Sequence, residues 1–299
     1  VQFKVLGPIE VEAGGRVVTP QAEKLRCLLA LLCVKSGTVV SRQSLTHALW
    51  AGDPPRTART ALQVYVSKLR KFLDEHGDLA GRLVTKPHGY VFELEPERLD
   101  LRGFDALCEG GPQRGAPAGE RPVPEPEEEL RRLSRACALW RGPALADLRG
   151  LPAFAALGRA LDERRLGALE RGFDLRLGLG RHQAAIADLY ELVDEHPMWE
   201  AVHAQLMLAL YRSGRVPEAL EAYRRIRTTL VAELGMEPGD PIRLLHRAIL
   251  RRDPVLDAPP ARPAAGPAGT AVGPAGTARQ AAAVAAASRS AMPVVIASA

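Results

Sequence analysis

At 299 residues the chain is long enough for two domains, and its 46% hydrophobic content can fill a core in each. A formal net charge of +5 and a pI of about 9.2 do not mark the whole chain as a polycation, so the position of the charge decides its meaning. No apolar run approaches the ~20 residues of a membrane helix, nothing at the N-terminus has the make-up of a signal peptide, and the chain reads as cytoplasmic.

The first eighteen residues alternate. Phe3, Val5, Gly7, Ile9 and Val11 fall on one side, and Gly14-Gly15 offers a turn before Val17 and Val18, which predicts a small sheet. After Pro20 the period becomes helical, with Leu25, Leu28, Leu29, Leu32 and Cys33 as core positions and Gly37 as a stop. A second helix starts at Ser41, whose hydroxyl can cap it, points Leu45, Ala48 and Leu49 inward and closes at Trp50. The loop AGDPPR then breaks the chain.

The stretch TARTALQVYVSKLRKFL, Thr57 to Leu73, predicts a third helix with two faces. At about 100° per residue, Leu62, Val66, Leu69 and Leu73 share a core stripe with Ala58 and Tyr65 beside it. The opposite side is centred on Thr60, Val64, Ser67 and Lys71 and flanked by Gln63, Lys68 and Arg70, with Arg56 and Arg59 just ahead. Five cations and no acid lie between Arg56 and Lys71. Solvated helix faces usually mix both signs, so this one suits a polyanion. Its short residues let the backbone sink into a major groove, the long ones reach base edges or phosphates, and Val64 can pack on a thymine methyl. Next, LVTKPHGYVFEL reads as two strands with a turn at Pro87, His88 and Gly89, placing Lys86 and His88 at a hairpin tip. Sheet, three helices and hairpin are the order of a winged helix-turn-helix.

Residues 110 to 126 are too rich in Gly and Pro for an element. From Glu127 the pattern is helical almost to Arg252, and it repeats. A shift of 34 residues lays Leu179-Gly180-Arg181 on Ser213-Gly214-Arg215, Ala185 on Ala219, Ile186 on Leu220, Leu189 on Tyr223 and Leu192 on Ile226. That is the spacing of tetratricopeptide helix pairs. The tail from Ala258 to Ala299, with 17 alanines in 42 residues, reads as a disordered linker, and Arg279 to Arg289 as a fluctuating helix within it. The expected fold is therefore mostly α: a winged helix-turn-helix over 1–99, an all-α tetratricopeptide-like domain over 100–254 and a tail over 255–299.

Catalytic signatures are missing. There is no Gly-x-x-x-x-Gly-Lys-[Ser/Thr], no Gly-x-Gly-x-x-Gly and no Gly-x-Ser-x-Gly, and the seven histidines make no metal pair with one another or with cysteine. Cys27, Cys33, Cys108 and Cys137 are scattered, with no Cys-x-x-Cys, and read as buried free thiols in a reducing compartment. The expectation is a non-enzyme with no cofactor and no metal.

The phrases ALQVYVSKLRKFL, LVTKPHGYVFEL, LDLRGFDAL, ALWRGPALADL and the long run from Ala204 to Pro254 resemble the SARP family, the antibiotic regulatory proteins of streptomycetes and their relatives. In that family an OmpR-type winged helix precedes a bacterial transcriptional activator domain. The resemblance implies a transcriptional activator that binds direct repeats at or next to the −35 region, side by side as a dimer on DNA, and recruits RNA polymerase through its sigma factor. It implies a polymerase-facing loop, here Gly52, Asp53, Pro54, Pro55 and Arg56. Recognition-helix contacts would come from Arg56, Arg59, Thr60, Gln63, Val64, Ser67, Lys68, Arg70 and Lys71, and wing contacts from Lys86 and His88. Tyr65 suits a phosphate contact or packing. The target genes would serve antibiotic biosynthesis, and the protein would sit on the nucleoid. The competing expectation is a helical-repeat scaffold for a protein or small effector, whose winged domain serves assembly rather than DNA reading.

Overall fold

The computed structural model describes residues 1–110 and 125–257; the expected loop at 110–126 lies almost wholly, and the tail from Ala258 wholly, outside the described residues. The chain forms two compact units, Val1–Leu169 and Glu170–Ala299.

The first unit opens with the antiparallel strands β1 (Gln2–Lys4), β2 (Glu10–Ala13) and β3 (Arg16–Val17). Gly14 and Gly15 both take positive φ, +56° and +74°, in the two-residue turn that pairs Ala13 with Arg16, a conformation only glycine adopts cheaply. The alternating Phe3, Val5, Ile9 and Val11 are buried. Helix α1 (Glu23–Val34) buries Cys27, Leu28, Leu29, Leu32 and Cys33, whereas Leu25, expected in the core, is half-buried. Strand β4 (Val40–Ser41) leads into α2 (Arg42–Trp50), and Ser41 Oγ accepts the Ser44 amide at 3.0 Å, the cap expected from its position. Helix α3 (Ala58–Gly77) buries Ala58, Leu62, Val66, Leu69 and Leu73, the stripe read from its period.

The hairpin β5 (Leu83–Lys86) and β6 (Gly89–Phe92) turns at Pro87 and His88. It gains a third strand that the sequence did not disclose: β4 pairs with β6, giving the order β4-β6-β5. Gly89 makes this possible, because a Cβ there would overlap the Val40 carbonyl oxygen.

The unit continues past 99. A bridge joins Phe3 to Leu99, and the Asp100 carboxylate, at the start of α4 (Asp100–Glu109), accepts the amides of Val5 at 2.9 Å and Leu6 at 3.0 Å. Burial pushes the Asp100 carboxyl above the usual carboxylate range, against the pull of those two amides and Arg141. After α5 (Pro126–Cys137) the chain leaves the helix at ALWRGPALADL. Gly142 and Pro143 keep the segment from resuming a helix, and its backbone bonds the N-terminal segment instead. Arg141 N donates to Leu6 O at 2.8 Å, and Leu145 N to Gly7 O at 2.6 Å. Arg141 also pairs with Glu10 at 2.8 Å. The division between the units falls inside α6 (Pro152–Gly178).

The second unit comprises the end of α6, then α7 (His182–Glu195), α8 (Glu200–Arg212), α9 (Val216–Leu234), α10 (Asp240–Arg251) and a 3-10 turn at Pro254–Leu256. The 34-residue repeat is present in the backbone. Arg181 N bonds Arg176 O at 2.8 Å and Arg215 N bonds Leu210 O at 2.9 Å, and Gly180 and Gly214 take φ of +76° and +75°. Ala185 and Ala219 are fully buried, as helix approach requires. The next pair departs from equivalence: Leu189 is fully buried, but Tyr223 is half-buried and stacks on His246 of α10, ring centroids 3.9 Å apart.

Cys27 and Cys33 are buried as expected, but Cys108 and Cys137 are only partly buried. Burial pushes the Cys27 and Cys108 thiols up to about 11 and Cys33 upward as well, which leaves them as thiols rather than nucleophiles. No helix among the described residues is long and apolar enough to cross a membrane, and no group of metal-ligating side chains is present there.

Candidate nucleic-acid interface

The core stripe of α3 fixes which side faces outward. Arg56, Arg59, Thr60, Gln63, Val64, Ser67, Lys68 and Lys71 are all exposed, Val64 at 47%. Spacings of three and four residues put Thr60, Gln63, Val64, Ser67 and Lys71 along one ridge about three turns in length. Lys71 lies 3.7 Å from Glu75 in an exposed i,i+4 pair worth at most ~0.5 kcal/mol. Arg56, Arg59 and Lys68 have no acidic partner among the described residues, so their charge is open to an incoming anion.

Two of the expected residues sit elsewhere. Tyr65 is half-buried, its ring 6.2 Å from that of Trp50 at the end of α2, so its body packs between the helices. Arg70 is turned toward the hairpin: Nε and Nη2 donate to Leu83 O at 3.1 and 2.7 Å, and Nη2 also to Thr85 Oγ1 at 2.8 Å. In this arrangement Arg70 belongs to the junction of α3 and β5 rather than to the outward ridge.

The hairpin tip carries Lys86, half-buried, and His88, exposed. Arg42, the first residue of α2, holds this tip. Its backbone N donates to His88 O at 3.1 Å, its guanidinium to Pro87 O at 2.6 Å and Lys86 O at 3.3 Å, and it lies 5.7 Å from the Tyr90 ring centroid. Sequence reasoning missed Arg42, because a lone arginine after a capping serine gives no sign of a partner over forty residues away.

The loop between α2 and α3 is held at its base. Ala51 and Gly52 take positive φ, Gly52 N donates to His47 O at 3.1 Å and Asp53 N to Trp50 O at 3.0 Å, while Ala58 N reaches Pro55 O at 2.8 Å. Gly52, Asp53, Pro54, Pro55 and Arg56 all remain exposed. Beneath them an open cleft of about 600 Å³ is lined by Arg42, His47, Pro54, Pro55 and Arg59. Thus a short-chained basic ridge, a clamped hairpin and a braced proline loop occupy one unit. Such a set can engage phosphates and base edges in adjacent grooves.

Comparison with known proteins supplies a family for both parts of the chain. Residues 18–92 match the family "Transcriptional regulatory protein, C terminal", and residues 99–250 match "Bacterial transcriptional activator domain". The chain is 38% identical over 263 residues to the regulatory protein DnrI of Streptomyces peucetius, covering 86% of this chain and 94% of that protein. It is 35% identical over 267 residues to the transcriptional regulator RedD of Streptomyces coelicolor, covering 87% and 73% respectively. Among solved structures, Mycobacterium tuberculosis EmbR in complex with a low-affinity phosphopeptide aligns with a TM-score of 0.73 at 35% identity, over 85% of this chain and 65% of that one. The chain therefore belongs to the SARP family of transcriptional regulators, in which an OmpR-type winged helix precedes a bacterial transcriptional activator domain.

Proposed function

We propose that this regulator is a sequence-specific DNA-binding activator acting in the cytoplasm on the nucleoid. The observation that carries the reading is the outward ridge of α3, exposed from Arg56 to Lys71, free of acid over that span, and followed by a hairpin fixed beside it. Thr60, Gln63, Val64, Ser67, Lys68 and Lys71 enter the major groove, Arg56 and Arg59 meet phosphates at the helix start, and Lys86 and His88 reach the adjacent groove. Tyr65 serves packing. Residues 1–99 read DNA and 100–254 form the activating part. The exposed Gly52–Arg56 loop is offered to RNA polymerase holoenzyme through its sigma factor. Family membership supports direct-repeat sites near the −35 region of antibiotic-biosynthesis genes, occupied by two protomers side by side.

Selection of bound duplexes from a random pool by the full chain, followed by sequencing, tests this reading. Two short direct repeats about 10 to 11 base pairs apart are the expected product. Binding without a motif would reduce α3 to backbone attraction, and no binding would transfer the function to the helical repeats.

A further inference from the structure

We infer that Arg70 is a positioning residue that couples the wing to the recognition helix, rather than a groove contact in its own right; this rests on the DNA reading proposed above. On a helical projection Arg70 lies about 120° from Val64, at the edge of the core stripe on the wing side. Its three hydrogen bonds all go to β5.

Those acceptors are available because of strand register. β5 is an edge strand, and its pairs with β6 run Leu83–Phe92, Val84–Val91, Thr85–Tyr90 and Lys86–Gly89. The Glu93 amide bonds Arg82 O, so the bonded positions of the ladder are Arg82, Val84 and Lys86. Leu83 therefore turns its carbonyl to the open edge, where Arg70 meets it and satisfies a group that would otherwise face water. A guanidinium suits this place: its planar fork of donors can hold the Leu83 carbonyl and the Thr85 hydroxyl together, which a lysine point charge cannot.

Arg42 grips the other end, at Lys86 O and Pro87 O. Arginines from two helices thus hold the wing along its length and set the position of Lys86 relative to α3. Reading two grooves at once needs that spacing fixed before DNA arrives.

The test uses the full chain and a duplex recovered by selection, with Arg70→Ala, Arg70→Lys, Thr85→Val, Lys86→Ala and the Arg70→Ala/Lys86→Ala double variant. Positioning predicts that Arg70→Ala weakens binding about tenfold, the size of a charge-assisted hydrogen bond. Lys86→Ala should then add less than about twofold in that background, because the two act as one unit. Arg70→Lys should fail to restore binding, and Thr85→Val, which keeps the shape of the side chain, should show a partial loss. In the DNA-free protein, Arg70→Ala should speed amide exchange across 83–86.

Additive losses for Arg70 and Lys86, a salt slope reduced by about one for Arg70→Ala, full rescue by lysine and unchanged exchange would make Arg70 a phosphate contact and overturn the assignment. A wild-type chain that selects no duplex would overturn the DNA reading and the coupling with it, so the two failures are told apart by the wild type.

Discussion

Helices α3 and α9 are both rich in cations, and they handle them in opposite ways. Around α9, Arg224 pairs with Glu221 at 2.8 Å, Arg225 with Asp194 at 2.6 Å, Arg227 with Glu237 at 2.7 Å, and Arg215, just ahead of it, with Glu218. Each partner is three to ten residues away in sequence or on the neighbouring α7. The guanidinium of Arg227 holds Glu237 below the usual carboxylate range, as Arg215 does Glu218. On α3 and just ahead of it, Arg56, Arg59 and Lys68 stand without such a partner among the described residues, and Lys71 has only a loose one. Surface pairs of the α9 kind stabilise by little, roughly 0.2–1 kcal/mol, but they neutralise the face. An unneutralised face is useful to a protein that meets an anion. Charge alone is not the criterion, since Arg247 and Arg251 of α10 are exposed without an acid partner among the described residues too. What distinguishes α3 is the row of Thr60, Gln63, Val64 and Ser67 among the cations and the clamped hairpin beside it.

The largest effect should come from breaking the α3 end without touching a charge. Gly89→Val drives a side chain into the β4 backbone and should cost about 3 kcal/mol or more of first-unit stability. Duplex binding should vanish while amide exchange in α7–α10 stays as it was; retained binding would show that the wing is dispensable.

Charge reversal sharpens the contrast directly. Lys68→Glu should weaken duplex binding at least about tenfold, because it removes a phosphate contact and adds repulsion. Arg224→Glu should leave binding within about twofold. Equal losses from the two would erase the distinction between the helices.

On the second unit the sensitive feature is packing. Tyr223→Ala should cost roughly 1–2 kcal/mol, less than the ~3–5 of a fully buried ring, because the ring is only partly buried and lies stacked on His246. Thermal or urea unfolding measures it, and a cost above 3 would mean that the ring is a core element.

Acid should act on the same unit. Burial holds His182, His203 and His246 below the usual imidazole range. With folded values under the unfolded one of about 6.5, the unfolded chain takes up protons first. Stability is then full above about pH 6.5 and falls as the pH drops through that value toward the lower folded ones. Segment-resolved amide exchange at pH 7.5 and 5.5, corrected for intrinsic rates, should show α7–α10 loosening; unchanged protection there would refute the account of these histidines.

The smallest effect belongs to Val64→Ala, which should relax preference at one base pair by under ~1 kcal/mol. Unaltered preference in a repeat selection would make Val64 a bystander.

What could be read from sequence was what is local. The α3 core stripe and the 34-residue repeat appear in the structure because periodicity is set by backbone geometry within a few turns. The candidate ridge was legible for the same reason. Long-range pairing was not: β4 is two residues long and doubles as a helix cap, Asp100 meets amides 95 positions away, and nothing in ALWRGPALADL announces that its backbone bonds the N-terminal segment. Arg70 shows the limit most plainly. Its place on the helix was readable, but its partners were on a strand whose register the sequence did not fix. Tyr223 fits the repeat by spacing, yet its neighbour is α10, which brings a histidine rather than another buried leucine.

The most direct measurement is the salt dependence of binding to a selected duplex, compared among wild type, Lys68→Ala and Arg224→Ala. If α3 is the DNA face, Lys68→Ala lowers the slope of log K against log salt by about one and Arg224→Ala leaves it unchanged. The same slope for Lys68→Ala as for wild type, or a drop with Arg224→Ala, would contradict the assignment of the unpaired ridge to DNA.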